Sequence, residues 1–450
     1  MPISSSVAAV DKALKLLYKA GVPNLSYNKQ ALLNRFAVKA DFTGEKKVMA
    51  LQTSNPQGFG SDFTRGLANI DQVEQYSRFE MFRVQHYGFV QVSGEVMRTA
   101  VDPGALVNVW KNRSVSVVRG MQNSAGRLIY GTGTGRLASV SAAGTNANTV
   151  TLATAADIAN FERGMRFVFY TGPESFAGQY VDLTSGVGTG TNSFDAAKMV
   201  CTVTSLDRDI NNGTATLTFT VNTPVPNAGT ATWPANAILV RDGDGVISDG
   251  VATSYDTNAR SPAGIEQWIG GDLIGTNPAV GNTLFGLNRA ADKVRFGGQV
   301  SNAAGRNMVE ALQDLEANIL FQGMGYPTHI VANPLAIGNL KKSALSDVIR
   351  IPAQDPKQNL NFQDIVFVGQ NGPIPFIQDP FCPMNKAYML NLPTWSISCA
   401  PGGMFQLVDF DGVTVLRDPL TDNYQSRFAS YYQIGCDNPG SNGYLYNWGA

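Results

Sequence analysis

The sequence predicts an α+β fold carrying a small, separate β-domain, and it predicts an assembly subunit instead of an enzyme. Three observations carry this. A stretch at 102–130 has helical periodicity and is long for a globular domain. An extended, turn-interrupted ribbon precedes it at 41–100. A tract of short strands rich in Thr, Ala, Gly and Asn follows it from about 137 to 241.

The helix comes first because the other parts are arranged about it. Asp102-Pro103 is a helix start: an oxygen acceptor stands at the cap and a proline in the first turn, where no N–H is missed. Leu106, Val109, Trp110, Val117, Met121 and Leu128 recur at helical spacing, with Lys111, Arg113 and Arg119 on other faces. At ~1.5 Å per residue it would reach about 40 Å. Gly104, Gly120 and Gly126 each cost up to about 1 kcal/mol in a helix interior and favour a bend. Leu106 and Trp110 are expected among its deepest anchors.

Before it, residues 1–40 hold one short amphipathic helix, 7–20, with Leu14, Leu17 and Tyr18 opposite Lys12, Lys15 and Lys19. Within 11–47, eight basic residues stand against three acids. That excess would face nucleic acid, the acidic surface of a neighbouring copy, or only solvent. Residues 46–52 and 78–92 are extended runs, the second with Phe82, Val84, Val90 and Val92 at period two. A two-stranded ribbon this long is marginal alone in water and needs a support, most simply a neighbouring subunit.

After the helix, Gly131 to Gly135 reads as a flexible exit linker. It follows a helix, opens none and lacks the Gly-Lys-Ser/Thr of a phosphate loop. Strands are expected at 149–152, 166–170, 199–205, 215–221 and 237–240, with a hairpin turn at 207–213, as a small barrel or sandwich. Asp242, Asp244 and Asp249 sit in a glycine-rich run whose spacing departs from a calcium loop, so consecutive turns are expected. A second helix spans 306–322, a buried-type strand 328–332 and a third helix 334–345. Strand-like runs follow at 364–368, 374–377, 387–392, 395–399 and 405–410, with a long one at 424–436.

Composition narrows the chemistry. The 450 residues leave room for two to three domains. Net charge is −1 with 15% charged residues, so no bulk field favours nucleic acid or an acidic membrane. No apolar run is long enough to span a bilayer, and the first residues do not read as a secretory signal. Cys201, Cys382, Cys399 and Cys436 lack metal-ligand spacing and read as reduced, buried thiols. His86 and His329 have no Cys or His nearby in sequence. Trp110, Trp268 and Trp395 read as core, and Glu310, Asp314 and Glu316 as helix-surface acids. No catalytic, cofactor-binding or metal-ligating residue is expected.

Short stretches in a fixed order resemble a known family. They are Asn55-Pro56-Gln57-Gly58, Tyr87-Gly88 through Ser93-Gly94-Glu95, Phe161-Glu162-Arg163-Gly164-Met165 and Phe285-Gly286-Leu287-Asn288-Arg289. Gly372-Pro373-Ile374 through Asp379-Pro380-Phe381-Cys382-Pro383, Tyr424 through Cys436, and Pro439-Gly440-Ser441-Asn442-Gly443 complete the set. Over nearly its whole length the chain resembles tailed-bacteriophage major capsid (coat) proteins of the Hong-Kong-phage type, in a branch with an inserted β-domain.

The resemblance implies an N-terminal arm (1–40), an extended loop reaching over a neighbour (41–100) and the spine helix of a peripheral domain (101–136). It further implies an inserted β-domain (137–243), a return to the peripheral domain (244–300), an axial domain (301–420) and a C-terminal strand and tail (421–450). It implies a structural protein that self-assembles into an icosahedral shell around the phage genome, located in the virion and assembled in the host cytoplasm. The partners would be many copies of itself in hexamers and pentamers, a separate scaffolding protein, a portal, cement proteins and non-specifically packaged DNA, with no membrane. Repeated modest contacts would make such a shell durable. The alternative is a surface-exposed β-rich adhesion or carbohydrate-binding protein acting through the Thr/Asn/Gly-rich tract.

Overall fold

A computed structural model describes residues 31–71, 73–95, 103–170, 200–207, 213–222, 231–244, 255–343, 366–408, 415–417 and 421–449; the side chains of 103–111, 146, 231–232, 257–258 and 343 are outside that description. The expected helix at 7–20, Asp102, Asp249, most of the 207–213 turn and the side chains of Leu106 and Trp110 therefore lie outside the described residues.

The first sheet is built on one long strand, Asn423–Cys436. Val84–Ser93 pairs antiparallel along one whole edge of it. Its other edge takes Trp395–Cys399, then Gln406–Leu407, then Leu416–Arg417. Ala37–Lys39 adds in parallel outside Trp395–Cys399. Val84, Val90 and Val92 are buried while Gln85, Tyr87, Phe89 and Gln91 are exposed, the alternation of a sheet with one covered face.

The cover is the continuous helix Pro103–Leu128. Val117 and Met121 seat on Gly88, where an added Cβ would lie 2.5 Å from Met121 Sδ and 2.7 Å from Val117 Cγ1. The glycine is what lets the helix come this close to the strand. Burial deepens towards the C-terminal end, where Met121, Ala125, Leu128, Ile129 and Tyr130 are core.

The second sheet runs Gln299–Asn302, Gly443–Tyr446, Lys386–Leu390, His329–Ala332, Gly372–Gln378, Val366–Gly369. On one face lie the helices Met308–Gln322 and Pro334–Ser343, which bury Leu312, Leu315, Ile319, Ile337 and Leu340 against Ile330, Met389 and Leu445. Asn307 caps the first of them, accepting from Val309 N at 3.0 Å. The opposite face contributes Val331, Ile377, Tyr388 and Tyr444 to a core shared with the first sheet. In that core Trp268 meets Phe79 edge-on at 4.9 Å and donates to Ile434 O, and Phe36 stacks on Trp395 at 5.5 Å. Trp268 and Trp395 are core, as their sequence context predicts.

Between the long helix and the second sheet the chain makes a closed six-stranded antiparallel barrel. Its order is Arg136–Ser139, Ile238–Arg241, Arg166–Tyr170, Val200–Asp207, Thr216–Val221, Thr149–Thr151. The ends join through the Val140–Leu152 bridge, with Ser141 N on Thr151 O at 3.0 Å and Ala153 N on Ser139 O at 2.8 Å. Closure leaves no sheet edge. Phe167, Phe169, Phe219 and Trp233 fill it, with Trp233 stacked on Phe169 at 4.8 Å.

Several sequence expectations are corrected. The run 78–92 is two strands, Gln75–Phe82 and Val84–Ser93, broken at Arg83, and only the first belongs to the ribbon. The inward parity flips there, from Phe79 and Met81 to Val84 and Val90, because the two strands join different sheets. The division at residue 420 does not hold for the strands: Trp395–Cys399 lies in the first sheet, and the C-terminal region splits between Asn423–Cys436 in the first and Gly443–Tyr446 in the second. Gly131 to Gly135 is not a flexible linker. Thr132 and Thr134 are buried there, and Gly133 and Gly135 take positive φ against the Tyr255 ring and the Asp244 carbonyl.

Candidate assembly surfaces

The ribbon consists of Lys46–Ser54 paired antiparallel with Gln75–Phe82. Its base is fixed in its own subunit. Phe79 and Met81 are buried, Glu80 N donates to Phe285 O, and Lys47 Nζ reaches Asp41 and Ser398. Lys46 and Arg78 both pair with the Glu80 carboxylate and hold its pKa below the ordinary carboxylate range. Arg295 Nη1 donates to Thr53 O at 3.0 Å, a last tether before the tip.

Beyond that tether the connection 55–74 carries the short helix Phe63–Ala68, capped by Asp62 through Arg65 N. Phe59, Phe63, Leu67, Ile70 and Val73 in this connection, and Tyr76 on the adjoining strand opposite Gln52, are all exposed large apolar side chains. Six such residues within one projecting segment form a patch, whereas isolated exposed apolar residues are ordinary. A second exposed cluster, Phe321, Met324 and Tyr326, closes the C-terminal end of the helix Met308–Gln322.

The residues weighed for chemistry fall into structural places. His86 lies on Val84–Ser93 and His329 begins a strand of the other sheet; burial lowers both pKa values. The four cysteines are free and buried, and burial raises their pKa values. Among the described residues no group of His, Cys, Asp and Glu could hold a metal ion.

Asp314 is a surface acid paired with Arg306 at 3.1 Å, but Glu316 is not. It is 2% exposed and accepts from Gln370 N at 2.8 Å, clamping the turn between Val366–Gly369 and Gly372–Gln378. Burial raises its pKa against those backbone bonds. No local signal separates it from the exposed acids beside it.

Charged groups also seat the barrel. Arg127, near the end of the long helix, pairs with Glu162 at 3.5 Å and lies over the Phe381 ring at 5.5 Å. Asp157, on the turn Ala155–Asn160, has its pKa raised by burial to about 6 and faces the positive charges of Arg136 and Lys386.

Solved structures that are similar to this chain match it over nearly its whole length. The chain is similar over 98% of its length to 98% of a chain in the cyanophage A-1(L) capsid asymmetric unit, at 11% identity and a TM-score of 0.49. It is similar over 97% of its length to 94% of a chain in the holo-SrpI encapsulin complex from Synechococcus elongatus, at 8% identity and a TM-score of 0.42. For Mycobacterium phage Ogopogo the shares are 97% and 98%, the identity 9% and the TM-score 0.41. No family model matches the sequence, and no curated protein matches it either.

Proposed function

We propose that this chain is a structural shell subunit, a major capsid protein of the tailed-phage type that self-assembles into an icosahedral container. One observation carries the reading: a ribbon anchored at its base ends in a tip with five large apolar side chains, and Tyr76 beside them, that its own subunit leaves exposed. An exposed apolar patch of this kind marks an interaction site, and a second copy of the chain is the partner always present at matching concentration. The motif order in the sequence supports the same reading. On it, Pro103–Leu128 is the spine helix, the two-helix sheet is the axial domain and the barrel is an insertion beside the spine.

The partners that follow are other copies in hexamers and pentamers, a separate scaffolding protein, a portal and cement proteins, with DNA contained by the wall. The location that follows is the virion. Negative-stain microscopy of the expressed protein tests this. Closed shells or hexamer rings are expected; monodisperse single subunits that bind sugars would overturn it in favour of adhesion.

A further inference from the structure

Tyr87 and Tyr431 stand together on the face of the first sheet that the long helix leaves uncovered. Val84, Gly88, Val90 and Val92 turn towards the helix side, so Tyr87 and Phe89 turn away from it, and they are 44% and 55% exposed. Tyr431 lies opposite Gln85 in the ladder, which places Tyr87 diagonally beside it on the same face. Diagonal neighbours of this kind are within reach of aromatic side chains. The two rings meet edge-on at 6.0 Å, and their hydroxyl oxygens are 3.4 Å apart. Tyr87 also donates to Gln85 Oε1 at 2.9 Å, which leaves its oxygen free to accept from Tyr431.

No covalent bond crosses the seam where these tyrosines meet. Val84–Ser93 is the outermost strand on its side and, among the described residues, pairs only with Asn423–Cys436. All four cysteines are free and buried, so no disulfide joins the two strands. Tyr87 and Tyr431 are 344 positions apart in sequence. A bond between them would close a loop through most of the chain, and a long closed loop is the kind that most restricts an unfolded chain.

We infer that Tyr87 and Tyr431 form an oxidative cross-linking site, at which a peroxide acting through a haem peroxidase joins them as dityrosine within one subunit. Each phenol gives up one electron and its hydroxyl proton. The two radicals then join by one bond between ring carbons ortho to the oxygens. The hydrogens displaced from those carbons pass through solvent to the oxygens, which restores both phenols. The peroxide takes up the two electrons and two protons and leaves as two waters. The hydroxyl contact assists the first step, because a hydrogen atom can pass between the two oxygens and either ring can be oxidised first. Other neighbours are unsuited. Phe89, stacked beside Tyr87 at 6.4 Å, has no hydroxyl to lose. Tyr388 touches Tyr130 and Tyr444 in the core, where all three are buried away from an oxidant.

The test treats the dilute, unassembled full-length chain with a peroxidase and hydrogen peroxide, then maps its peptides by mass spectrometry. A product of one subunit mass should carry a peptide pair joined through Tyr87 and Tyr431, short of two hydrogens and showing the blue fluorescence of dityrosine. Tyr76 and Tyr326 are the internal control: both are exposed, and neither has a tyrosine ring against it among the described residues. Tyr431→Phe and Tyr87→Phe keep the rings and should each lose the linked pair while circular dichroism stays that of the parent. The unaltered chain denatured in urea should lose it as well. Absence of the Tyr87–Tyr431 link in the folded, unaltered chain would overturn the proposal. So would a yield no higher than that of links through Tyr76 or Tyr326, a link between two subunits at Tyr87 or Tyr431, or an equal yield after denaturation.

Discussion

Replacing Phe59, Phe63 and Leu67 together by serine separates folding from assembly. These side chains are 69%, 83% and 55% exposed in the subunit, so their removal deletes little of its own core. Exposed substitutions of this kind change stability by roughly 0.5 kcal/mol or less each, and the melting temperature of the isolated subunit should stay within about 2 °C of the parent. The same side chains buried in an interface would each contribute about 1.5–3 kcal/mol on full burial. Scaled by the exposure still to be lost, the three are worth about 3–6 kcal/mol per tip, or about a hundred- to ten-thousand-fold in each association step. A shell repeats that contact at every subunit, so particle yield should collapse. Differential scanning fluorimetry reads the first quantity; sedimentation velocity and particle counts by negative stain read the second. Shells at the parent's yield would refute the role of the tip. A melting temperature lowered by about 10 °C would refute the premise that the subunit leaves these residues uncovered.

Gly88→Ala drives a methyl into Met121 and Val117 and should destabilise the subunit by about 1–3 kcal/mol; adding Val117→Ala should recover part of that in a urea melt. Residues 136–244 expressed alone should fold as the closed barrel with a cooperative β-type melt, and Trp233→Ala should cost the fragment about 3–5 kcal/mol; a fragment with no transition would show that the barrel needs the body it sits on. Asp157 binds its proton more tightly in the fold than in the unfolded chain, its pKa rising from 3.8 to about 6. Its contribution to stability is thus complete below pH ~4 and is lost as pH rises through about 6, by no more than about 3 kcal/mol. Asp157→Asn should flatten the melting temperature between pH 4 and 6, and an unchanged slope would assign the dependence to another group.

What the sequence reveals here is what depends on near neighbours in the chain. Periodicity locates Pro103–Leu128 and Met308–Gln322, and alternation with turn residues locates five of the six barrel strands to within a residue or two but misses Arg136–Ser139. The break at Arg83 is invisible to it, because Phe82 and Val84 are both good strand formers. The flip in facing arises only because one strand joins the ribbon and the next pairs with Asn423–Cys436, more than three hundred residues away. Glu316 is hidden for the same reason: its partner is the Gln370 amide, 54 positions on. Gly131 to Gly135 is packed in where composition suggests slack, since Tyr255 and Asp244 close on it from afar.

The assembly surface belongs with this second class. Phe59, Phe63, Leu67 and Ile70 are apolar in the same local sense as Phe79 and Met81, and the sequence gives no ground to separate them. The fold separates them by covering Phe79 and Met81 with Trp268 and the shared core while Arg295 holds the ribbon at Thr53 and leaves everything past it uncovered. An interface is what remains apolar after a subunit's own core has taken what it can reach. For that reason the sequence can suggest that the ribbon needs a neighbour, whereas the residues that would meet one are found only once the ribbon's own supports have been identified.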